Sequence, residues 1–344
     1  MTTLNAQHLQ QISLQQLQQQ QNNDNLLMIR DANYWIDEAR SRAIPQMLFG
    51  KFWHQGEVCI LFADSNLGKS ILAVQIADAI SKGKGAYPFD VETKAQPVIY
   101  CDFELTDKQF EARYSANYTN HYRFNPNFLR AQLNPDPELL GNPDDFDDNL
   151  IADLECSVVD HNAKVLIIDN LTYLRTETEQ AKDASPLMKQ LKNLKNKYDL
   201  SILVLAHTPK RDLTQAITRN DLQGSKMLMN FCDSAFTIGE SNADSSLRYL
   251  KQIKQRNTEQ VYGDSNICLC SVNKPLNFLQ FEFVAFSEEW QQLVKKKQSE
   301  QQDEAMMEKI LLLKAQSCTL REIGRAVGLS HQKVDRMLKA HAAG

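Results

Sequence analysis

Lys69 and Ser70 stand directly behind a run of turn-forming residues, Ala63-Asp64-Ser65-Asn66-Leu67-Gly68, and directly before an apolar-periodic stretch that opens at Ile71. A lysine and a hydroxyl at that junction suit phosphate chemistry. Backbone N–H groups of the loop and the positive end of the helix dipole hold anionic oxygens, the ammonium reaches the outer phosphates, and the hydroxyl is a ligand for Mg2+. The spacing is that of G-x-x-x-x-G-K-[ST], with Ala63 in place of the first glycine. Glycine serves where a chain needs positive φ or close packing, so Ala63 puts the geometry and affinity of the loop in question. It removes no reactive group.

Three further candidates sit where apolar runs end. Lys164-Val165-Leu166-Ile167-Ile168 leads into Asp169, a carboxylate that a nucleotide hydrolase would use to position Mg2+ and its water. The run from Pro97 to Phe103 leads into Glu104, on the side of a sheet where ligands bind, where a carboxylate could polarise water for attack on a γ-phosphate. Asp102 competes for that role. Ser201 to Ala206 leads into His207, which at a central strand end could sense a γ-phosphate, although a lone histidine is more often a packing or surface residue. Lys254-Gln255-Arg256 alternates along a late strand and places two cations on one face, an arrangement that suits a carboxylate or the nucleotide of a neighbouring subunit.

The elements that must position these residues follow from periodicity. Strands are expected at Glu57 to Phe62, Val98 to Phe103, Lys164 to Asp169, Ser201 to Ala206, Ser234 to Ile238 and Leu247 to Lys254, with a closing hairpin at Ile267 to Val272 and Phe278 to Phe286. Alternation of such runs with helical patterns predicts an α/β core with a mainly parallel twisted sheet. A short helix, Tyr34 to Arg42, precedes it, and the acidic segment from Asn134 to Asp148 reads as an exposed loop. The expected division is a Gln-rich arm over 1–25, the core over 26–287, a polar linker or solvated helix over 288–303 and an all-α domain over 304–344. The arm is too polar to bury much surface alone, so it is either flexible or a helix that forms against a partner.

The terminal domain shows three amphipathic helices, Glu304 to Gln316, Thr319 to Val327 and Ser330 to Lys339, with a capping box at Thr319 and Glu322 and a break at Gly328. This is a helix-turn-helix pattern. His331, Gln332, Lys333 and Arg336 fall on the polar side of the third helix, where such motifs read a DNA groove. Seven basic residues (Lys309, Lys314, Arg321, Arg325, Lys333, Arg336, Lys339) face four acidic ones (Glu304, Glu308, Glu322, Asp335), an excess that favours DNA, with protein docking as the alternative.

Composition narrows the classes. The 344 residues are 42% apolar and 24% charged with a net charge of −5, which excludes a uniformly basic coat but not a local basic patch or ring lumen. No apolar run approaches the roughly 20 residues of a membrane helix, and no secretory signal opens the chain, so a cytoplasmic protein is expected. The seven cysteines form no C-x-x-C pair or Cys/His cluster, so neither zinc nor disulfides are predicted and the cysteines read as core residues.

In order, ADSNLGKS, YCDFEL, VLIIDNL, LVLAHT, LQGSKML with CDSAF, and IKQR resemble the RecA-type P-loop ATPases of the RepA-like hexameric helicase family over about Gly56 to Phe286. The resemblance implies a RecA-like fold, a homo-oligomeric ring that is usually a hexamer, and ATP with Mg2+ bound between subunits. It implies phosphate and Mg2+ binding by Lys69 and Ser70, a catalytic base at Glu104, a Walker B carboxylate at Asp169 and a sensor at His207. Arg256, with Lys254, becomes an arginine finger for the neighbouring subunit. The polar segment Pro209 to Asn220, with Lys210, Arg211 and Arg219, corresponds to a lumen-facing loop for single-stranded DNA, and a solvated loop is the alternative. The function implied is ATP-driven translocation or unwinding in replication or mobilisation of a plasmid or similar element. The rival reading is an ATP-switched DNA-binding regulator.

Overall fold

The computed structural model describes residues 27–134, 146–170, 184–209, 211–222, 225–294, 296–316 and 318–343. The chain divides into two units, Met1–Pro45 and Gln46–Gly344. In the first, helix α1 (Ala32–Arg40) starts two residues before the expected Tyr34, because the Asp31 side chain accepts the Tyr34 N–H at 3.0 Å and so caps the helix earlier. Its apolar residues Trp35 and Ile36 are exposed. The expected Gln-rich arm, residues 1–25, lies outside the described residues.

The second unit opens with a small antiparallel ladder, β1 (Met47–Phe49) and β2 (Trp53–His54), too short to leave a periodic signal. Then come β3 (Val58–Ala63), α2 (Lys69–Lys82), β4 (Val98–Asp102) and α3 (Asp107–Arg113). A second ladder, β5 (Ser115–Ala116) with β6 (Asn120–His121), leads to β7 (Phe128–Ala131). Residues 135–145 of the expected acidic loop lie outside the described residues, and its end is already helix α4 (Phe146–Asp160). The remaining elements of the core are β8 (Val165–Asp169), α5 (Ala184–Tyr198), β9 (Ser201–His207), α6 (Ser225–Phe231), β10 (Ser234–Glu240), β11 (Leu247–Lys254), β12 (Ile267–Asn273) and β13 (Gln280–Ser287).

Among the described residues, nine strands share one sheet in the order β13-β12-β11-β10-β3-β9-β8-β4-β7. The run from β10 to β7 is parallel, and β11, β12 and β13 add on in antiparallel sense. Continuous apolar runs such as VCILFA are what a parallel sheet covered on both faces requires. Val58, Ile60 and Phe62 pack on one face beneath α4 and α5, through Leu154, Val158, Leu187 and Leu191. Cys59, Leu61 and Ala63 pack on the other beneath α2, through Leu72, Ile76 and Ile80. This is a RecA-like P-loop core. The edge strand β7 had no sequence signal, since its four residues are all only half-buried and do not alternate.

Parallel pairing sets the site. Ala63 lies beside His207, and Asp102 beside Asp169, so four strand ends share one edge of the sheet. Because β11 runs the other way, Lys254 lies beside Ala235 near the start of β10, at the opposite edge. The strand also ends at Lys254, so Arg256 belongs to the following turn and the expected alternation does not extend to it.

The segment expected as a linker begins with a 3-10 turn, Glu289–Gln292, that packs on the core: Glu289 is 1% exposed and is paired with Lys251, itself 3% exposed. Glu289 also accepts the Ile217 N–H at 2.8 Å. From Lys296 onward that segment belongs to helix α7 (Lys296–Ala315), which starts eight residues before the expected Glu304. Helices α8 (Leu320–Val327) and α9 (His331–Ala343) follow, with Ile310, Ile323 and Val334 buried between the three. Thr319 and Glu322 form the expected reciprocal cap, and Gly328 takes the left-handed conformation. No helix among the described residues is long and apolar enough to cross a membrane.

Candidate functional site

At the C-terminal edge of the parallel strands, the turn after β3 leads into α2 around a cavity of about 400 Å3. Ser65, Asn66, Gly68, Lys69, Ser70 and Ile71 line it on one side, and Glu104, Arg113 and His207 on the other. Ala63, Asp64 and Leu67, also expected in the cradle, are not among the lining residues. Left-handed backbone falls at Asn66 (φ 65°) and Gly68 (φ 95°), whereas Ala63 closes β3 without positive φ. The glycine-specific demand therefore sits at Gly68, where a Cβ would also come within 3.0 Å of the Phe281 ring.

Lys69 is 7% exposed. Its Nζ donates to the backbone carbonyls of Ala63 at 2.9 Å and Asp64 at 3.0 Å and lies 3.2 Å from His207 Nδ1. Burial lowers the pKa of its ammonium, opposed by the charges of Asp169, Glu104 and Asp64. Asp169 is wholly buried, accepts the Tyr100 hydroxyl at 2.7 Å and is hydrogen-bonded with Ser70. Burial raises its pKa to about 6, against those hydrogen bonds and with help from the negative charges of Glu104 and Asp102.

Glu104 hangs from the turn after β4 with its side chain 42% exposed. Its Oε1 accepts from the Asn170 amide and lies 3.8 Å from His207 Nε2. His207, with the charges of Lys69 and Arg113, holds its carboxyl below the ordinary range in spite of partial burial. The competing Asp102 is committed elsewhere: it accepts Arg130 Nε at 2.9 Å and the Leu105 N–H at 2.9 Å, which shapes the turn that presents Glu104.

Two residues of this site carried no signal of their own in the sequence. Asn170 follows Asp169 directly and joins Glu104 to His207, and only its adjacency to the strand-end carboxylate hinted at it. Arg113 ends helix α3 and borders the cavity with Nη1 buried and, among the described residues, without a hydrogen-bond partner. A cation so placed suits an anionic or carbonyl-bearing ligand.

The other candidates are not part of this cavity. Lys254 Nζ donates to the carbonyls of Met229 and, at 2.7 Å, Cys232, and Arg256 Nη1 meets Asp233 Oδ1 at 3.1 Å. Asp233 also accepts the Val58 N–H at 3.0 Å, so both cations sit where β3 begins. At ~3.3 Å per residue that is about 17 Å from the loop where β3 ends. Arg211, expected on an exposed DNA loop, instead has a side chain only 6% exposed, with Nε 3.9 Å from Asp64 Oδ2 and Nη1 donating to Gln215 O at 3.0 Å. It braces the loop and is not open to a phosphate backbone. Arg219 is exposed, and Lys210 lies outside the described residues, as does Gly224. His331, Gln332, Lys333 and Arg336 are all exposed on α9, while Val334, Leu329, Met337 and Leu338 face the helical cluster.

The residues present fit Mg2+: Ser70 and Asp169 offer adjacent hard oxygen donors. Among the described residues no group of three acidic, histidine or cysteine side chains could hold a metal alone, so the ion would share these donors with the phosphates of a nucleotide.

Residues 27–212, more than half of the chain, match the AAA_25 family model, described as an AAA domain. The chain belongs to this AAA family. Its P-loop lysine, serine and strand-end carboxylate are those of a P-loop ATPase. A KaiC-like protein from the hyperthermophilic archaeon Pyrococcus horikoshii OT3 aligns with this AAA-family chain at 14% identity, over 67% of this chain and 91% of that one, with a TM-score of 0.45. Among curated proteins no match is found.

Proposed function

We propose that the chain is a DNA-associated ring ATPase that couples ATP hydrolysis to translocation or unwinding, in the manner of RepA-like helicases, and acts in the cytoplasm on a plasmid or similar element. The observation that carries this reading is the separation of its groups. Lys69, Ser70, Asp169, Glu104 and His207 converge on one cavity, whereas Lys254 and Arg256 stand at the far end of the same sheet. An arginine so placed can complete a nucleotide site only in a second copy of the chain, which a closed ring supplies at every interface.

In such a site Lys69 exchanges its backbone carbonyls for phosphate oxygens. Mg2+ held by Ser70 and Asp169 would neutralise charge on the β- and γ-phosphates. Glu104 accepts the proton of the attacking water, the oxygen of that water bonds to the γ-phosphorus, and the bond to the bridging oxygen breaks to leave ADP and phosphate. His207, between Lys69 and Glu104, registers whether the γ-phosphate is present. Arg256 of the adjoining subunit would stabilise the developing charge, an effect on the order of 10³-fold or more.

A second reading, an ATP-switched DNA-binding regulator, is favoured by the terminal helices. Arg321, Arg325 and His331 border one cavity beside the start of α9, and Lys333 and Arg336 extend that exposed basic side. An ATPase assay with single-stranded DNA, duplex DNA and no DNA separates the two. Strong stimulation by single strands of any sequence supports the motor. Stimulation confined to one duplex sequence supports the regulator, and absence of turnover under all conditions overturns both.

A further inference from the structure

Asn170 is 2% exposed at the end of β8, and its Nδ2 faces two residues of the site at once: it donates to Glu104 Oε1 and lies 3.0 Å from His207 Nε2. His207 in turn meets Lys69 through Nδ1. An ammonium has donors only, so Nδ1 must be the acceptor and the proton of the neutral ring belongs on Nε2. That proton cannot serve the Asn170 amide nitrogen, which is itself a donor, and the acceptor beside it is Glu104 Oε1. The amide of Asn170 and the imidazole of His207 are therefore both turned on the same carboxylate oxygen.

Glu104 needs this more than its neighbours do. Asp169 is rigidly buried in a central strand, whereas Glu104 follows the end of β4 with a half-exposed side chain. Left alone, it would divide its time among staggered rotamers that point away from the cavity. The Asn170 amide donates to one of its oxygens, the protonated nitrogen of His207 stands 3.8 Å from that same oxygen, and the path Lys69–His207–Glu104 spans the site from phosphate loop to base.

We propose that Asn170 is a positioning residue that sets the orientation of Glu104, holding it beside His207, whose other ring nitrogen meets the lysine of the phosphate loop. The inference rests on the reading of Glu104 as the general base of ATP hydrolysis. Asn170 makes and breaks no bond in the reaction. When phosphate draws Lys69 away from Nδ1, the His207 ring is released to respond while Asn170 keeps the carboxylate in place.

The test is steady-state and single-turnover hydrolysis by the full-length chain with MgATP, for Asn170→Ala and Asn170→Ser, each also in a Glu104→Gln background, with MgADP binding measured alongside. Asn170→Ala is expected to lower kcat about 10- to 100-fold, short of the ~10²- to 10⁴-fold contribution of a general base itself. KM and MgADP affinity should stay within about threefold of the unsubstituted chain, and Asn170→Ser, which keeps a short donor, should fall between. In the Glu104→Gln background Asn170→Ala should cause no further loss, because the group it positions is gone. Hydrolysis by Asn170→Ala within twofold of an active parent overturns the inference, and so does an equal loss in both backgrounds or a collapse of MgADP binding in both variants. An unsubstituted chain that binds MgATP without hydrolysing it overturns the hydrolase reading first, and this inference with it.

Discussion

Ala63 departs from the usual loop residue, yet its backbone is ordinary strand and its carbonyl accepts both Lys69 Nζ and the Thr208 N–H. Neither function needs a missing side chain. Ala63→Gly is therefore expected to leave KM for ATP within about threefold while lowering stability by about 0.5–1 kcal/mol, since glycine loses more freedom on folding; ATPase kinetics and thermal unfolding of the variant check both halves. Asp169 gives a prediction of opposite kind. Its pKa is raised from 3.8 to about 6 in the folded chain, so the folded state holds the proton over a range where the unfolded state has lost it. Stability from this group is present below about pH 4 and is lost as pH rises through about 6, by up to ~3 kcal/mol. In the nucleotide-free, chelator-treated protein, Asp169→Asn should stabilise the fold at pH 8 and do so much less at pH 5, as read from urea midpoints. The sequence marked Asp169 and Glu104 because each ends an apolar run. It could not mark Asn170 or Arg113, whose roles come from which strand or helix end lies opposite them.

Helix α2 and the closing hairpin act as one element around the loop. Gln75 on α2 donates to the Phe281 carbonyl at 2.9 Å and accepts the Phe281 N–H at 2.8 Å, which sets the Phe281 ring against Gly68. The turn at Glu289–Gln292 does similar work on the other side of the sheet. Lys251 is buried with Glu289, donates to the Ile217 carbonyl at 2.7 Å, and so fastens the segment before Arg219 to β11. Removing Glu289 leaves the buried Lys251 with the mostly exposed Asp264, 2.5 Å away, as its remaining carboxylate among the described residues, and leaves the Ile217 N–H and the Tyr249 hydroxyl without their acceptor. Glu289→Ala should cost about 3–5 kcal/mol in denaturant unfolding, whereas Glu289→Leu combined with Lys251→Met should cost less than Glu289→Ala alone. Strand periodicity placed most core strands within a residue or two, but the chemistry of Glu288 to Gln292 looks like that of a solvated linker. A charged residue reads as surface until a buried partner from distant sequence, here Lys251, is brought to it.

For the proposed ring, the pair to test is Arg256 and Asp233. In the single chain Arg256 is occupied by its own Asp233, so service to a neighbour requires that contact to be exchanged for a phosphate. Arg256→Ala should abolish hydrolysis in uniform assemblies. Mixed with Lys69→Ala subunits, which keep the arginine but lack the phosphate lysine, it should regain measurable turnover; failure of mixed assemblies to hydrolyse ATP would place the arginine's role within its own chain. Residue order alone established the phosphate loop, the carboxylates at strand ends, the alternating α/β core and the capped terminal helices, because each of these is encoded within a few neighbouring residues by periodicity, turn chemistry or capping. Strand order and direction were needed for everything else. They brought Asp169 and His207 to the lysine, turned Arg211 from an expected DNA contact toward Asp64 of the phosphate loop, and carried Arg256 to the far edge, since a side chain's neighbours across a sheet depend on pairing between segments a hundred or more residues apart.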